Sequence, residues 1–384
     1  MRSSSTFPSA LVPALRMRAA LSATWIACLT AIALFMTGCD LFGSNDDDGR
    51  RVMADVVIAN SGNFSAQDGS LTLYNSEDST AALKDINVSF INSLTLHNDS
   101  LFVVDNTQPD NAGRITIFDT DQLEPIGQIS NPRPPQYIAF PTENKGYITN
   151  QRLDDSFNPL PSTISVINLR SNEVSEEVDV GRSPNGIGVA HGKAFVANSA
   201  DGTLSVLDTE VDTVNTTLSF TTCTRPKSVF VDDESEITVV CQGGDGQASE
   251  VLFLNPGTEE VVDRVEIGPR IRSANITQSA YYSKGAEELY TISTGTGKIF
   301  RVNTNFNVLD TTLEVPQDGE LTGLTAVGYD DTTQNLYLGR LPVGDDGSAS
   351  FTTAGTALVL NRQGDLVTRF ETGIAPAHIV FPRD

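Results

Sequence analysis

The sequence predicts an all-β ring: a seven-bladed β-propeller with four antiparallel strands per blade. Two observations carry that expectation. Residues 183–220 read as four short strands separated by turns, and weaker copies of this stretch fill the chain from residue 55 to residue 384. Seven second-strand copies recur with their ends 44 to 51 residues apart, which is the repeat length of propeller blades.

In the best copy, Pro184 precedes an apolar run over 185–190, and His191-Gly192 turns the chain into 193–198. There Ala194, Phe195, Val196 and Ala197 are apolar on both faces, so both faces are expected to be buried. A second turn rich in Asp and Gly covers 199–202. It leads to a third strand over 203–208 and a more polar fourth over 213–220, read as the outer edge. A unit of this size cannot cover two apolar faces alone, so its copies must stack. The competing arrangements are a β-sandwich pair and a linear β-solenoid, although sandwich strands more often carry one polar face.

The second-strand copies are 55–60, 101–106, 145–150, 193–198, 237–242, 288–293 and 335–339. Third-strand copies follow at 70–75, 114–119, 163–168, 203–208, 250–255, 298–303 and 356–361, each ending on Asp or Asn, which initiates turns. First-strand copies stand at 93–96, 136–140, 185–190, 227–231, 275–278 and 323–327. The missing one lies at the far end, where 373–381 matches 181–189 in the placement of its Gly and Pro. The carboxyl-terminal strand is therefore expected to join the first blade beside 56–60, which removes the open edges of the ring.

At the other terminus Arg2, Arg16 and Arg18 precede an almost uncharged run over 19–35, ending in Met36-Thr37-Gly38-Cys39. This resembles a bacterial lipoprotein signal. The resemblance implies a signal peptide over 1–38, starting at Met1 or Met17, and acylation of Cys39; the alternative is an uncleaved anchor helix. Residues 39–54 read as the lipidated Cys and a flexible acidic linker, and 55–384 as the propeller. The implied address is the cell envelope, with the outer membrane or cell surface favoured over the inner-membrane face.

With 49 acidic against 25 basic residues the chain carries a formal charge of −24, which argues against nucleic acid as a partner. Cys223 and Cys241 are the cysteines left in the folded part. In an exported protein they are a candidate disulfide, the alternative being two buried thiols.

The Pro-x-Gly-Ile, Phe-Val-Ala-Asn and Gly-Thr-Leu-Ser-Val-Leu-Asp-Thr segments of 183–220 closely resemble the YVTN-type repeat of surface-layer and YncE-like seven-bladed propellers. The likeness extends over essentially all of 55–384. It is loosest over 273–315, which lacks the Pro and the Asn, and in the last blade, which carries a long insertion. Some propeller lipoproteins of this kind work with TonB-dependent outer-membrane transporters, holding corrinoids or other nutrients. The resemblance therefore implies a membrane-anchored binding protein with a small-molecule ligand and a transporter or surface protein as partner. Related rings with hydrolytic activity imply the alternative, a lactonase-like hydrolase.

Candidate binding residues fall on one face. Loops entering first strands carry Arg133, Arg182, Arg225, Arg270 and Arg272 beside prolines. These guanidinium groups are expected either to favour an anionic ligand at the mouth of the channel or to pair with acids and brace the ring. Loops between second and third strands over 61–69, 151–162 and 341–355 carry Phe64, Phe157 and Phe351, with Arg152 and Arg340 nearby. They are read as a recognition rim or as locally packed surface variation. His378 is expected to face the channel, as a titrating group or a hydrogen-bonded core histidine. With His97, His191 and His378 as the full set of histidines, neither a multi-histidine metal site nor a cofactor is expected, and no nucleophile and base pair follows from spacing.

Overall fold

The computed structural model describes residues 54–382 except 107–111, 245, 269–270, 272–277, 294–295, 317–322 and 343–347, together with the backbone of 44–45 and 51–52. Cys39, Arg270 and Arg272, and the signal segment, lie outside the described residues. Seven blades of four antiparallel strands form the ring, and the described residues contain no helix. No helix among them is therefore long and apolar enough to cross a membrane.

Blade 4 illustrates the unit, with strands Pro184–Ala190, Lys193–Asn198, Thr203–Asp208 and Thr213–Ser219. Its two-sided second strand packs in both directions. Phe195 and Ala197 join Val239 and Leu252 of blade 5, whereas Ala194 and Val196 join Tyr147 and Ile164 of blade 3. Such a side chain as Phe195, fully buried, contributes about 3–5 kcal/mol relative to Ala. The fourth strand alternates exposed and half-buried residues because only one of its edges has a neighbour in the sheet.

The ring closes through the carboxyl-terminal strand. Pro376–Val380 is the innermost strand of blade 1, followed by Val56–Asn60, Gly69–Asn75 and Thr80–Val88. Val57 faces Val380, Ala59 faces His378 and Asn60 faces Pro376. The remaining inner strands are Ile91–His97, Pro135–Thr142, Pro226–Val231, Ala280–Ser283 and Leu324–Asp330. Of the inner strand of blade 6 expected over 275–278, residues 275–277 lie outside the described residues, and the described strand is Ala280–Ser283. Among the described residues its ladder begins where the Ile292 N–H donates to the Ser279 carbonyl, and the half-buried Tyr281 packs edge-to-face against Phe381 at 5.7 Å between centroids. Blade 3 adds a short strand, Arg152–Leu153, that pairs with Pro159–Asn168. Within the segment read as linker, Ser44 pairs with Val52.

One position, the end of the second strand, ties blades 1 to 5 together with changing chemistry. Asn198 Nδ2 donates to Thr203 Oγ1 at 3.1 Å and Ser205 Oγ at 2.9 Å. Asn60 and Asn150 make the corresponding bonds to Thr72 and Ser165. In blade 2 Asp105 replaces Asn, receiving Arg114 Nε at 2.7 Å and the backbone N–H of Phe90 at 2.9 Å. In blade 5 the place is taken by Cys241, joined to Cys223 of the entry loop as a disulfide with the Cα atoms 5.3 Å apart.

A second recurring device lies at the opposite end, where the residue opening a second strand meets the turn between third and fourth strands of the next blade. Lys145 Nζ donates to Asp212 Oδ2 at 2.8 Å and to the Thr209 carbonyl at 2.9 Å. Lys193 Nζ repeats this with Glu259 Oε1 at 2.7 Å and the Pro256 carbonyl at 3.0 Å. The receiving residue is left-handed in blade after blade: Ser79, Leu123, Asn172, Asp212, Glu259 and Asn307 have φ between 51° and 62°.

Replacing Asn198 by Ala leaves the Thr203 and Ser205 hydroxyls without their donor. It is expected to lower unfolding free energy by about 1–3 kcal/mol, read as a shift of the urea midpoint at unchanged slope. A change below about 0.5 kcal/mol contradicts the stapling role.

Candidate functional site: the axial collar

Inner strands share a local irregularity that builds the site. In the six blades whose strand entry is described, the first strand carries one extra residue immediately after the residue that opens it. Pro184 faces Asn198 while Ile187 faces Val196, for example, and the same shift recurs after Ile91, Pro135, Pro226, Leu324 and Pro376. Such a bulge re-aims side chains and breaks pairing. The first of the residues it displaces are Asn92, Gln136, Asn185, Lys227, Thr325 and Ala377. The five polar ones are no more than 6% exposed, so a buried polar collar surrounds the axis at this level.

Side chains from non-adjacent blades meet inside it. Tyr137 of blade 3 lies 5.7 Å, centroid to centroid, from His378 of blade 1, and Lys227 of blade 5 acts electrostatically on the same imidazole. Only groups directed into the channel can reach across the ring in this way. Lys227 Nζ donates to Asn185 Oδ1 at 2.6 Å, and Asn185 Nδ2 in turn donates to Ser199 Oγ at 3.0 Å. Asn92 Nδ2 donates to the Pro135 carbonyl, and Ser93 Oγ to the Gln136 carbonyl at 2.7 Å. Gln278 of blade 6 also reaches blade 1, its Oε1 accepting the Ile379 N–H at 2.7 Å.

Burial governs the charge states here, since a charge away from water is disfavoured. Desolvation lowers the Lys227 pKa to about 7, so near neutral pH the amine divides between its charged and neutral forms. His378 is 2% exposed. Desolvation, and then the charge of Lys227, depress its pKa to about 3, against the opposing effect of a bond to the Asn92 backbone. Its ring is therefore neutral, and the buried Nε2 has no hydrogen-bond partner. Burial likewise holds the Tyr137 hydroxyl far above its ordinary range, so it stays protonated.

The rim arginines are arranged differently. Arg133 Nε donates to Glu177 Oε1 at 3.1 Å, and Arg182 Nε to Asp201 Oδ1 at 2.5 Å. Both guanidinium groups are more than 40% exposed, and such pairs contribute about 0–1 kcal/mol. Arg225 is half-buried and lies over Gly244, where a Cβ would come 3.4 Å from its Nε. Arg152 Nη1 donates to the Pro161 carbonyl at 3.1 Å, and Pro161 faces Arg182, so Arg133, Arg152 and Arg182 share the edge of blade 3. Phe157 on the same loop is 82% exposed.

A second grouping forms where the ring closes. Phe64 packs edge-to-face on Phe90 at 5.3 Å, and Asn63 Nδ2 donates to the Phe351 carbonyl at 3.1 Å. Arg340 is buried at the stapling position of blade 7. It lines a cavity of about 590 Å³ with Arg369, Phe370 and Glu371. A larger groove of about 740 Å³ beside it carries Asp68, Asp85 and Glu371, an acidic lining that does not suit an anion.

Of the residues singled out from sequence, His378 thus belongs to the collar, whereas the described arginines and the phenylalanines lie outside it; Arg270 and Arg272 are not among the described residues. Lys227, Asn185, Asn92, Gln136 and Tyr137 were missed. A signal existed in the repeat: aligning blades on the entry position places a polar residue directly after it in blades 2, 3, 4, 5 and 7. Among the described residues no cluster of three or more His, Cys, Asp or Glu could hold a metal ion.

No protein-family model matches the chain, and no curated protein matches it by sequence. Solved structures do resemble it. A quinoprotein alcohol dehydrogenase-like protein from Bacteroides thetaiotaomicron VPI-5482 aligns with TM-score 0.59 at 13% identity, over 84% of this chain and 78% of that one. A functionally unknown protein from Desulfotomaculum acetoxidans DSM 771 gives 0.61 at 12%, over 85% and 98%. Apo AztD from Citrobacter koseri gives 0.51 at 9%, over 85% and 96%. At these identities the likeness is one of fold.

The depressed pKa of Lys227 has a thermodynamic consequence. Between about 7 and the ordinary 10.5, the unfolded chain holds a proton on this amine that the folded protein has released. Stability therefore rises with pH across that window. Lys227→Met is expected to flatten the rise in urea unfolding measured from pH 7 to pH 10, and an unchanged slope contradicts a buried amine.

Proposed function

We propose that this chain is a non-enzymatic binding propeller of the bacterial envelope, one that receives a small ligand at the axial collar through an acidic group and a neighbouring hydrogen-bond donor. The observation that carries this reading is the convergence of Lys227 and His378 from opposite sides of the ring, with His378 Nε2 buried and unpartnered. A buried polar atom without a partner costs about 1–3 kcal/mol, which a bound donor recovers. The two groups make complementary demands. Protonated Lys227 has no acceptor capacity and selects a carboxylate or phosphate oxygen, whereas neutral His378 with a bare Nε2 accepts from O–H or N–H. A hydroxy acid or an acidic amide meets both.

Attachment through Cys39, an outer-membrane or surface address, and transfer of the ligand to a membrane transporter extend this reading. They rest on the resemblance of the signal segment and repeats to envelope propeller lipoproteins. The rim aromatics Phe64 and Phe351 then face whatever partner docks there.

The test is calorimetry of the purified protein with a panel of hydroxy acids, their esters and their deoxy analogues. An acid bearing a hydroxyl is expected to bind, with its ester and its deoxy analogue at least tenfold weaker. Lys227→Met should lose at least tenfold, while Arg133→Ala and Arg182→Ala remain at parent affinity. Because the anion draws a proton onto Lys227, affinity should fall as pH rises above about 7. Equal affinity in the parent and Lys227→Met removes the collar as the site, and turnover of a lactone by the purified protein overturns the non-enzymatic reading.

A further inference from the structure

Each seam between blades presents the same place on the face opposite the strand entries, bounded by the residue that opens a second strand and the next blade's turn. The register identifies these opening residues, since Lys145 faces Asn168, Lys193 faces Asp208 and Ser100 faces Asp119. In the seams from blade 3 to 4 and from 4 to 5 a lysine fills the place (see above). From blade 1 to 2 the turn residue Leu123 is itself buried with Ala54 and fills it. From blade 5 to 6 Asn307 Nδ2 reaches Glu236 Oε2 at 3.4 Å, and from 6 to 7 Arg362 Nη2 reaches Glu288 Oε1 at 2.5 Å.

From blade 2 to 3 the opening residue is Ser100, whose side chain is three heavy atoms shorter than lysine's, and the place is a cavity of about 220 Å³. Its lining includes Ser100, Leu169 and Asn172. Counted from the last residue of the third strand, Leu169 corresponds to Thr209, whose carbonyl takes Lys145 Nζ, and Asn172 corresponds to Asp212. We propose that this cavity is a socket for a primary ammonium group on an alkyl stem, supplied from outside the chain where its neighbours carry their own lysine.

The remaining lining supports that assignment independently of the repeat. His97 Nε2 is buried and has no hydrogen-bond partner, and its ring is stacked on Phe140 at 3.9 Å between centroids. Desolvation lowers its pKa despite the opposing charge of Glu143, so the ring is neutral and can offer a lone pair. Glu143 lines the same cavity and supplies the carboxylate that Asn172 lacks relative to Asp212. Ile126, otherwise an unexplained apolar side chain at 59% exposure, forms part of the wall. The neighbouring cation Arg170 is engaged elsewhere, its Nε donating to Asn144 Oδ1 at 3.0 Å. An ammonium with three donors facing a carbonyl, an imidazole nitrogen and a carboxylate is the complementary ligand, and an alkyl stem suits the Ile126 wall. This site is remote from the collar, and neither reading depends on the other.

The experiment follows the His97 imidazole nitrogen resonances of the labelled, purified protein during titration with n-pentylammonium, N-acetyl-lysine amide and n-pentanol. Both ammonium compounds are expected to shift Nε2 saturably and n-pentanol not to. Binding of n-pentylammonium alone points to a free amine as the occupant, and binding of both to a lysine side chain of a partner protein. Ser100→Lys rebuilds the latch and should weaken n-pentylammonium at least tenfold while raising the melting temperature. Glu143→Gln, a surface change that leaves folding intact, should weaken it about fivefold. The proposal is overturned by an equal response to n-pentanol, by no response to either ammonium compound, or by parent affinity in a folded Ser100→Lys or in Glu143→Gln.

Discussion

A four-stranded blade has two apolar faces, and only a closed ring covers both faces of every blade. That requirement governs the rest of the molecule. It makes second strands such as Lys193–Asn198 apolar on alternate sides for two different neighbours. It also draws the chain's last strand back to its first, because an unclosed blade 1 would leave Val57, Ile58 and Ala59 beside an open sheet edge.

Given the ring, equivalent positions can exchange chemistry while keeping their task. The end of the second strand must hold the third strand and the entry loop, and it does so with a neutral amide in Asn198, with a half-buried ion pair at Asp105 and Arg114, and with a covalent bond at Cys241. The disulfide is thus one solution among several to a requirement that blades 1 to 5 meet, which places its role in holding blade 5. The seams follow the same logic. Lysine closes two of them and leucine, asparagine and arginine one each, and the seam that begins at Ser100 keeps a cavity because serine is too short to reach the facing turn.

The axis and the rim divide the polar residues by solvent access. At the rim, water screens Arg133 and Arg182, and nearby acids satisfy them at little energetic consequence. On the axis the bulges gather Asn92, Gln136, Asn185 and Lys227 where water is scarce, and there the same kinds of contact set protonation states. A chain of net charge −24 thereby carries a buried amine opposite a neutral imidazole.

The blade count, the two-sided strands, the turn positions and the closure were all legible in the sequence, because each is a local pattern repeated seven times and the last copy matches the first in its Gly and Pro. The repeat is least legible in blade 6, which lacks the entry Pro; its described inner strand is Ala280–Ser283, and 275–277 of the expected 275–278 lie outside the described residues. Cys223 and Cys241 were legible as a candidate pair, with two buried thiols as the alternative, and the tertiary structure decided for the disulfide. The convergence of Tyr137, Lys227 and His378 was not legible, since 241 residues separate the first from the last and only ring closure brings them face to face. Nor was the engagement of Arg133 by Glu177, because which way an exposed side chain turns depends on an acid from another strand. Repetition writes the fold into the chain as short-range spacing, whereas the site arises from side chains that meet across the axis, a distance that no spacing along the sequence encodes.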